Sequence, residues 1–588
     1  LSNSFLAVAG EDRMARKLSF VVIIGFLVIY ILPLGVRPIA IPDESRYGEI
    51  PREMLVSGDW IVPHLNGLRY FEKPVLGYWL NAISIKLFGE NAFAIRFPSA
   101  LAAGISALLL FILILKFTGS YLAAVVAPVV LLTCLQFFLV GTLGILDSMF
   151  SLFVTGTMIM AFWAYSEQHL LKKLLLLAAA GIFCGMAFLT KGFLVFALLT
   201  GVIVPFVIWE RRPKEILPIV LVPVLVAALV ALPWCISIHR REPDFWNYFF
   251  WNEHIRRFMS GSAQHSQPFW YFIPILIGGA MPWTVFLVVI IQGLKKIGLK
   301  NPLARFGICW FGFCFIFFSA SNGKIATYIM PCFPPLALLI TLGFLQFFET
   351  DRMKHFENAA NLSAVIAAIF GVVVIVNQMM GLPSTAYGPQ EIPQFCLAIA
   401  AAITWGVFSL LAAKASNFRR KLLFYCFAPL LFLLCMPVLL PDALEGKMSA
   451  DKVLIKYAAT VKPETILVAD SRGINAVCWV YKRTDVYCLG GGELEYGLSY
   501  NDAKHRLLDL ETFRDMLANS KNIQIMLVAR ERKYAKWENQ MPQPTFVEVD
   551  KVAAIAIAEF KAATANKSQS SALATGADFG KPAVDGNR

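Results

Sequence analysis

Apolar residues in this chain run in long unbroken stretches, without the three-and-four or alternating spacing of a water-soluble fold. Stretches of roughly 18 or more such residues cross a ~30 Å hydrocarbon core. They fall near 18–36, 93–115, 120–140, 145–164, 172–190, 193–209, 215–237, 269–292, 303–320, 325–348, 359–380, 395–414 and 421–440. The pattern predicts about thirteen transmembrane helices. The first stretch has no small-residue cleavage site after it and is followed by further spans, so it reads as a retained helix and not as a signal peptide.

The polar positions between the stretches orient them. Alternate connections carry Arg13, Arg16 and Lys17; Lys116; Lys172 and Lys173; Arg211, Arg212 and Lys214; Lys295, Lys296 and Lys300; Arg352 and Lys354; Arg419, Arg420 and Lys421. The intervening 141–144 and 381–394 carry no lysine or arginine. Basic short loops stay cytoplasmic, so the N-terminus is inside. An odd number of spans then places 37–92, 238–268 and everything after Leu440 outside. Lys191 and Lys324 are the only basic residues in their short exterior connections and run against this bias, which calls for a local anion, a lipid phosphate being the obvious one.

After Leu440 the texture changes. Short apolar runs at 466–469, 486–489 and 523–528 alternate with helical patterns at 475–481 and 502–518, predicting a soluble exterior α/β domain over 441–562. The Ser/Ala/Gly/Lys-rich segment 563–588 predicts a disordered tail. Gly490-Gly491-Gly492 follows a predicted strand without a Gly-Lys-Ser/Thr, so it reads as a turn and not a phosphate cradle.

Composition agrees with a polytopic membrane protein: 58% hydrophobic and only 15% charged residues, with a mean hydropathy of +0.64. The net charge of +13 is not a nucleic-acid signature, because the part after Leu440 holds 20 Lys+Arg against 19 Asp+Glu. The excess sits in the membrane half, where it is mainly the orientation signal. Of the 11 cysteines, Cys478 and Cys488 alone fall in the soluble exterior part and are expected to form a stabilising disulfide in an oxidising compartment.

The densest chemistry lies in the first exterior loop, which carries Asp43-Glu44-Ser45-Arg46-Tyr47 and Tyr70-Phe71-Glu72-Lys73-Pro74. Leu76, Trp79, Leu80, Ile83 and Leu87 share one helical face between Pro74 and Gly89, predicting a helix lying in the membrane interface. A second interfacial helix is expected over 44–55, with Pro51 against it. Asp43 then stands where a span meets an interfacial helix, either as a plain N-cap or as a carboxylate facing a wet cavity. Asp147, Lys191 and Lys324 gather on the same face.

These residues, with Trp60, Pro63, Tyr78-Trp79, Leu189-Thr190-Lys191-Gly192, Arg257-Phe258, Pro268-Phe269-Trp270-Tyr271, Lys324, Tyr328 and Pro331, resemble the bacterial lipid A aminoarabinose transferases. Those are GT-C glycosyltransferases related to protein O-mannosyltransferases. The resemblance covers most of the chain. It implies inverting transfer of 4-amino-4-deoxy-L-arabinose from undecaprenyl phosphate to lipid A phosphates at the periplasmic face of the inner membrane, a modification conferring resistance to polymyxin and cationic peptides. It also implies Asp43 as the essential carboxylate, and Lys73, an arginine from Arg256 and Arg257, Lys324 and Tyr328 as holders of the donor phosphate. Glu44, Tyr47, Glu72 and Asp147 would bind sugar or acceptor, with Arg46 and Lys191 beside them. Many relatives carry a second proline where this chain has Val75, so the helix start is expected to shift slightly.

The residues leave alternatives open. A GT-C transferase for another sugar, with a protein or glycan acceptor, would show the same motifs. A flippase would need repeated halves and midplane charges, neither of which is evident here. No cofactor is required by this chemistry. A divalent ion, if bound, would take Glu72, His64 and His265, but no diagnostic ligand spacing is present.

Overall fold

The computed structural model describes residues 17–256, 266–348, 352–381, 385–520 and 523–561, the side chains of 254–256 excepted. The tail 563–588 therefore lies outside the described residues.

Helices fill the first three quarters of the chain. Among the described residues, ten are long and apolar enough to cross a membrane, from α1 (Lys17–Gly35) to Phe418–Leu439. Every predicted stretch corresponds to a helical segment, yet thirteen straight spans are not what forms. Tyr121–Thr133 and Leu135–Gly141 meet at 70°, and Phe269–Gly279 and Trp283–Ile297 at 97°. Counting each bent pair as one span gives at most twelve, and Leu194–Trp209 is shorter than the others. Apolarity alone cannot report these bends. The second bend falls at Gly278-Gly279, where helix propensity fails, with Pro282, which has no backbone N–H, following.

Leu146–Ser166 is the central helix, with 89% of its apolar window buried inside the protein. Its neighbour Leu170–Lys191 crosses Pro213–Arg241 at Gly181 and Gly185, where a Cβ would come within 2.9 Å of the Pro223 carbonyl oxygen and 3.1 Å of the Ala227 carbonyl oxygen. This is the small-residue spacing that lets membrane helices approach closely without a hydrophobic driving force between them.

Two shorter helices lie in the first exterior loop, as predicted. The first, α2, is Asp43–Ser57, and the second, α3, is Leu76–Phe88. Pro51 is accommodated inside α2. The helix α3 starts after Val75, and its apolar positions Ile83 and Leu87 point outward while Tyr78, Asn81 and Ser84 face the protein. Between the two helices, β1 (His64–Leu65) and β2 (Leu68–Arg69) form a hairpin closed by Asn66 and Gly67, at φ 59° and 67°. Asn-Gly is the pair that tolerates positive φ at both positions of a tight hairpin.

The exterior domain is a six-stranded sheet of order β5-β4-β3-β6-β8-β7. Its strands are β3 (Ile466–Asp470), β4 (Tyr487–Leu489), β5 (Leu507–Leu508), β6 (Ile525–Arg530), β7 (Phe546–Asp550) and β8 (Ile555–Phe560). The first four are parallel, and β8 and β7 add an antiparallel edge. The helix predicted over 502–518 is only Leu510–Asn519, because Asp509 caps it and β5 occupies the residues before.

Cys478 and Cys488 do not form a disulfide; both are buried free thiols. Cys478 sits on the helix Ile474–Tyr481, beside Glu49 and Glu53 of α2, while the Cys488 thiol donates to the Gly490 carbonyl at 3.1 Å. Sharing one exterior domain does not make the two meet: Cys478 faces the first exterior loop and Cys488 the glycine turn.

Candidate active site

The three regions expected outside do meet at one end of the molecule. Arg69 pairs with Glu242 and with Asp502, each at 2.9 Å. The turn residue Asn66 exchanges side-chain hydrogen bonds with the backbone of Val486, at 2.8 and 3.0 Å. The exterior domain is thereby docked on the hairpin, and the pocket of charge between them is built from both.

At its centre is Arg46, on the first turn of α2. Its guanidinium pairs with Asp43 Oδ1 at 2.8 Å and Glu493 Oε1 at 2.8 Å, lies 3.8 Å from Glu72 Oε2, and donates to the Tyr70 hydroxyl at 3.2 Å. Tyr70 in turn donates to Glu493 at 2.5 Å. Burial by itself would lower the Arg46 pKa, but Tyr70, Glu493, Tyr47 and Asp43 together hold it well above the ordinary arginine range. Arg46 is therefore a fixed positive charge. Glu72 is pushed above the usual carboxylate range, by burial first and by Glu493 next, with Lys73 opposing. Tyr47 lies under the Arg46 guanidinium, stacks on Tyr78, and is kept protonated chiefly by burial.

Asp43 is not the N-cap that was one reading of its sequence. Pro42 holds that position, Asp43 is the first helical residue, and it makes no capping hydrogen bond. Its side chain is 61% exposed. The other carboxylates of the cluster, Glu72, Glu493, Glu253 and Asp147, are largely covered.

Glu44 departs from the sugar-binding role that the resemblance implied. Its carboxylate is fully buried and is bracketed by Arg96 through two 2.7 Å bonds, by the Gly144 N–H at 2.7 Å and by the Ala40 N–H at 2.9 Å. Burial would raise its pKa, and the Arg96 charge with these hydrogen bonds lowers it below the ordinary value. Arg96 also donates to the carbonyls of Leu34, Arg37 and Pro38. The pair is thus a staple joining the end of α1, the start of α2 and the helix Ala92–Thr118. No lone pair is left over for a substrate.

The basic residues divide in the same manner. Lys73 donates to its neighbour's carbonyl, that of Glu72, at 2.8 Å and pairs with Glu253 at 3.0 Å. Lys191 needs no lipid phosphate to explain it: Asp147 supplies the anion at 2.8 Å, and the ammonium lies over the rings of Phe150 and Tyr328. Lys324 is buried and donates to the Gln267 carbonyl at 2.7 Å, and burial lowers its pKa. An isolated bridge between Ser266 and Gly323 holds its loop. Arg257 and His265 lie outside the described residues, as does the side chain of Arg256.

Sequence reasoning missed Glu493, Glu253 and Arg96. Glu493 follows the glycine run, whose Gly490 and Gly492 adopt φ 78° and 144°, turning the chain from β4 toward Tyr70. A carboxylate four residues after a strand in a distant domain carries no local signal. Among the described residues, no three His, Cys, Asp or Glu side chains converge to hold a metal. His64 stands among Asp59, Arg69 and Glu242, whereas Glu72 faces Arg46, Lys73, Glu253 and Glu493.

A many-helix membrane core, with an exposed carboxylate at the start of a helix in the loop after the first span and a small α/β domain docked on that loop, fits a membrane glycosyltransferase of the GT-C type. Comparison with known proteins agrees. The profile of dolichyl-phosphate-mannose-protein mannosyltransferases matches residues 16–249, and that of the arabinosyl transferase ArnT C-terminal domain matches 446–557. The undecaprenyl phosphate-alpha-4-amino-4-deoxy-L-arabinose arabinosyl transferase of Shewanella sediminis is 38% identical over 91% of this chain and 96% of its own length. A second such transferase from Proteus mirabilis is 35% identical over the same shares. The crystal structure of ArnT from Cupriavidus metallidurans bound to undecaprenyl phosphate shares the fold, with a TM-score of 0.77 at 20% identity over 92% of this chain and 97% of that one. The chain belongs to the undecaprenyl phosphate-aminoarabinose arabinosyl transferase family.

Proposed function

We propose that this enzyme transfers 4-amino-4-deoxy-L-arabinose from undecaprenyl phosphate to the phosphate groups of lipid A, at the periplasmic face of the bacterial inner membrane. The observation that carries the reading is the contrast at the cluster itself: Asp43 alone among its carboxylates is open, and it stands beside a permanently charged Arg46. The names of the similar transferases supply donor and sugar.

In this reading Lys73, Lys324, Tyr328 and an arginine from Arg256 and Arg257 bind the polyprenyl phosphate and neutralise the charge that develops on the leaving oxygen. Lys73 exchanges its Glu253 partner for that phosphate. Asp43 stands opposite. A phosphate acceptor is already ionised at neutral pH, so no strong base is needed. Asp43 instead stabilises the oxocarbenium-like sugar or its ammonium group as the bond to phosphate breaks. Tyr47, Glu72 and Asp147 line the sugar. Turnover proceeds without a metal, because the basic groups supply the positive charge.

Purified protein given the aminoarabinose lipid donor and lipid A should yield lipid A heavier by one aminopentose residue, by mass spectrometry. Chelator should leave the yield unchanged. Label that appears in a protein or glycan, with lipid A untouched, would move the enzyme to another acceptor class. Complete loss in chelator, restored by one divalent ion, would overturn the metal-free mechanism.

A further inference from the structure

Far from the exterior cluster, α1 stands away from the bundle along its cytoplasmic half. Two hydrogen bonds tie it to the helix Tyr121–Thr133: Ser19 Oγ with the Tyr121 hydroxyl at 3.0 Å near the cytoplasmic end, and the Tyr30 hydroxyl donating to the Leu132 carbonyl at 2.7 Å deeper in. Between them the helices do not close. A groove of about 500 Å³ remains, walled by α1, by Tyr121–Thr133 and by the helix pair spanning Phe418–Leu439. Its lining is mostly apolar, with Val22, Phe26, Val126 and Leu430 typical and Thr133 at the deep end; Asn417, Arg419 and Arg420 stand at the mouth. A Cβ on Gly25 would meet nothing within 4 Å, so the gap is open space and not a tight crossing.

The dimensions select an occupant. Leu18 to Tyr30 is twelve helical steps, about 18 Å at 1.5 Å per residue. That is little more than half of a ~30 Å hydrocarbon core, the depth of an acyl chain belonging to one leaflet. A chain of eleven prenyl units is far too long for it. The mouth lies on the side that the lysine and arginine pattern makes cytoplasmic. Arg419 and Arg420 are exposed in the first turn of the helix Phe418–Phe427, whose N-cap Asn417 accepts from the Arg420 N–H at 2.9 Å. Two guanidinium groups at a helix N-terminus favour an anion. Lys421 points elsewhere, donating to Glu357 at 3.0 Å and the Ala413 carbonyl at 2.8 Å.

We propose that this groove binds one anionic glycerophospholipid of the cytoplasmic leaflet, an acyl chain between α1 and its neighbours and the phosphate on Arg419 and Arg420. The lipid completes the packing of α1 on the face that carries Val21, Val22 and Phe26. Because α1 leads through the Arg96 staple into α2, the lipid steadies the helix on which Asp43 stands. The inference is independent of the sugar and acceptor assigned above.

The test is native mass spectrometry of the full-length protein in mild detergent, titrated separately with phosphatidylglycerol and phosphatidylcholine. One phosphatidylglycerol should be retained per chain in preference to phosphatidylcholine. With two basic side chains removed, Arg419→Gln/Arg420→Gln should bind it about 30-fold more weakly, at the usual strength of a surface cation toward anionic lipid. Gly25→Phe, which puts a ring in the groove, should displace the lipid with both arginines intact, and it keeps the test alive if the arginine variant fails to fold. Equal retention of the two lipids, unchanged binding in both variants, or displacement by undecaprenyl phosphate at equal concentration would each overturn the proposal.

Discussion

The outward edge of α2, where Asp43 stands 61% exposed beside Arg46, contrasts with its inner face, where Glu44 is completely buried on Arg96. The two carboxylates are one peptide bond apart. A helix turns by 100° per residue, so neighbours look in different directions, and here one looks toward solvent and the other into the scaffold. Both carry an arginine partner, but the two pairs do different jobs. Around Arg46 the partners come from α2, the Tyr70–Lys73 segment and the exterior domain, with Asp43 open to solvent. Around Arg96 both Glu44 oxygens and all the guanidinium N–H groups are already matched. A cluster with an exposed acid can exchange partners when a ligand arrives; a fully satisfied buried pair cannot, and breaking it leaves an uncompensated charge.

That contrast can be broken most sharply at Asp43. Asp43→Asn preserves shape and position at the helix start, so donor affinity should be nearly unchanged while the single-turnover rate falls about 10³-fold, the usual range for a group acting on the transition state. A variant that folds, binds donor and turns over normally would make Asp43 a bystander.

Its inner counterpart should fail differently. Arg96→Leu strands the buried Glu44 and should cost about 3–5 kcal/mol of stability, read as a lower unfolding temperature and poor recovery from the membrane. Whatever fraction folds should retain its rate per molecule. Loss of rate in fully folded protein would mean that the staple reaches into the chemistry.

A third test probes the seam between membrane part and exterior domain. Asp451 accepts the Ile39 N–H at 3.0 Å, and burial above all pushes its carboxyl up to about 6. With a folded pKa above the unfolded one, the native state holds the extra proton between pH ~4 and ~6, so this group's contribution to stability is present below that window and lost as pH rises through it. Asp451→Asn keeps an acceptor for Ile39 without the charge. It should flatten that part of the stability profile and gain about 3 kcal/mol relative to wild type at pH 7. An unchanged profile would show that the seam is wetter than its burial suggests.

Lys73 sharpens the comparison on the ligand side. Its ammonium pairs with Glu253 at 3.0 Å. Lys73→Ala should weaken donor binding by about 10- to 100-fold, the worth of a hydrogen bond to a charged group, and should slow transfer as well. If Lys73→Ala slows transfer without changing donor affinity, the lysine does not hold the phosphate in the ground state. The smallest effect belongs to the exterior domain's thiols. Because Cys478 and Cys488 are free, reductant should leave the unfolding temperature where it is.

Much of this molecule is written locally. Stretches of apolar residues long enough for a bilayer, basic residues at alternate loops, and the amphipathic face of 76–87 each act over fewer than about thirty residues, so the membrane fold, its orientation and α3 follow from the chain alone. So do the strands β3, β4 and β6, and the two motifs that point to Asp43, Tyr47, Glu72 and Lys73. Other features depend on contacts between residues far apart in the chain. Glu493 reaches Arg46 across 447 positions, and Arg96 meets Glu44 across 52. Whether Lys191 faces a lipid phosphate or Asp147, whether two cysteines of one small domain meet, and which of two adjacent acids is buried are all decided by packing. The charge of a side chain is a property of its residue type, but the partner that neutralises it is set by the fold.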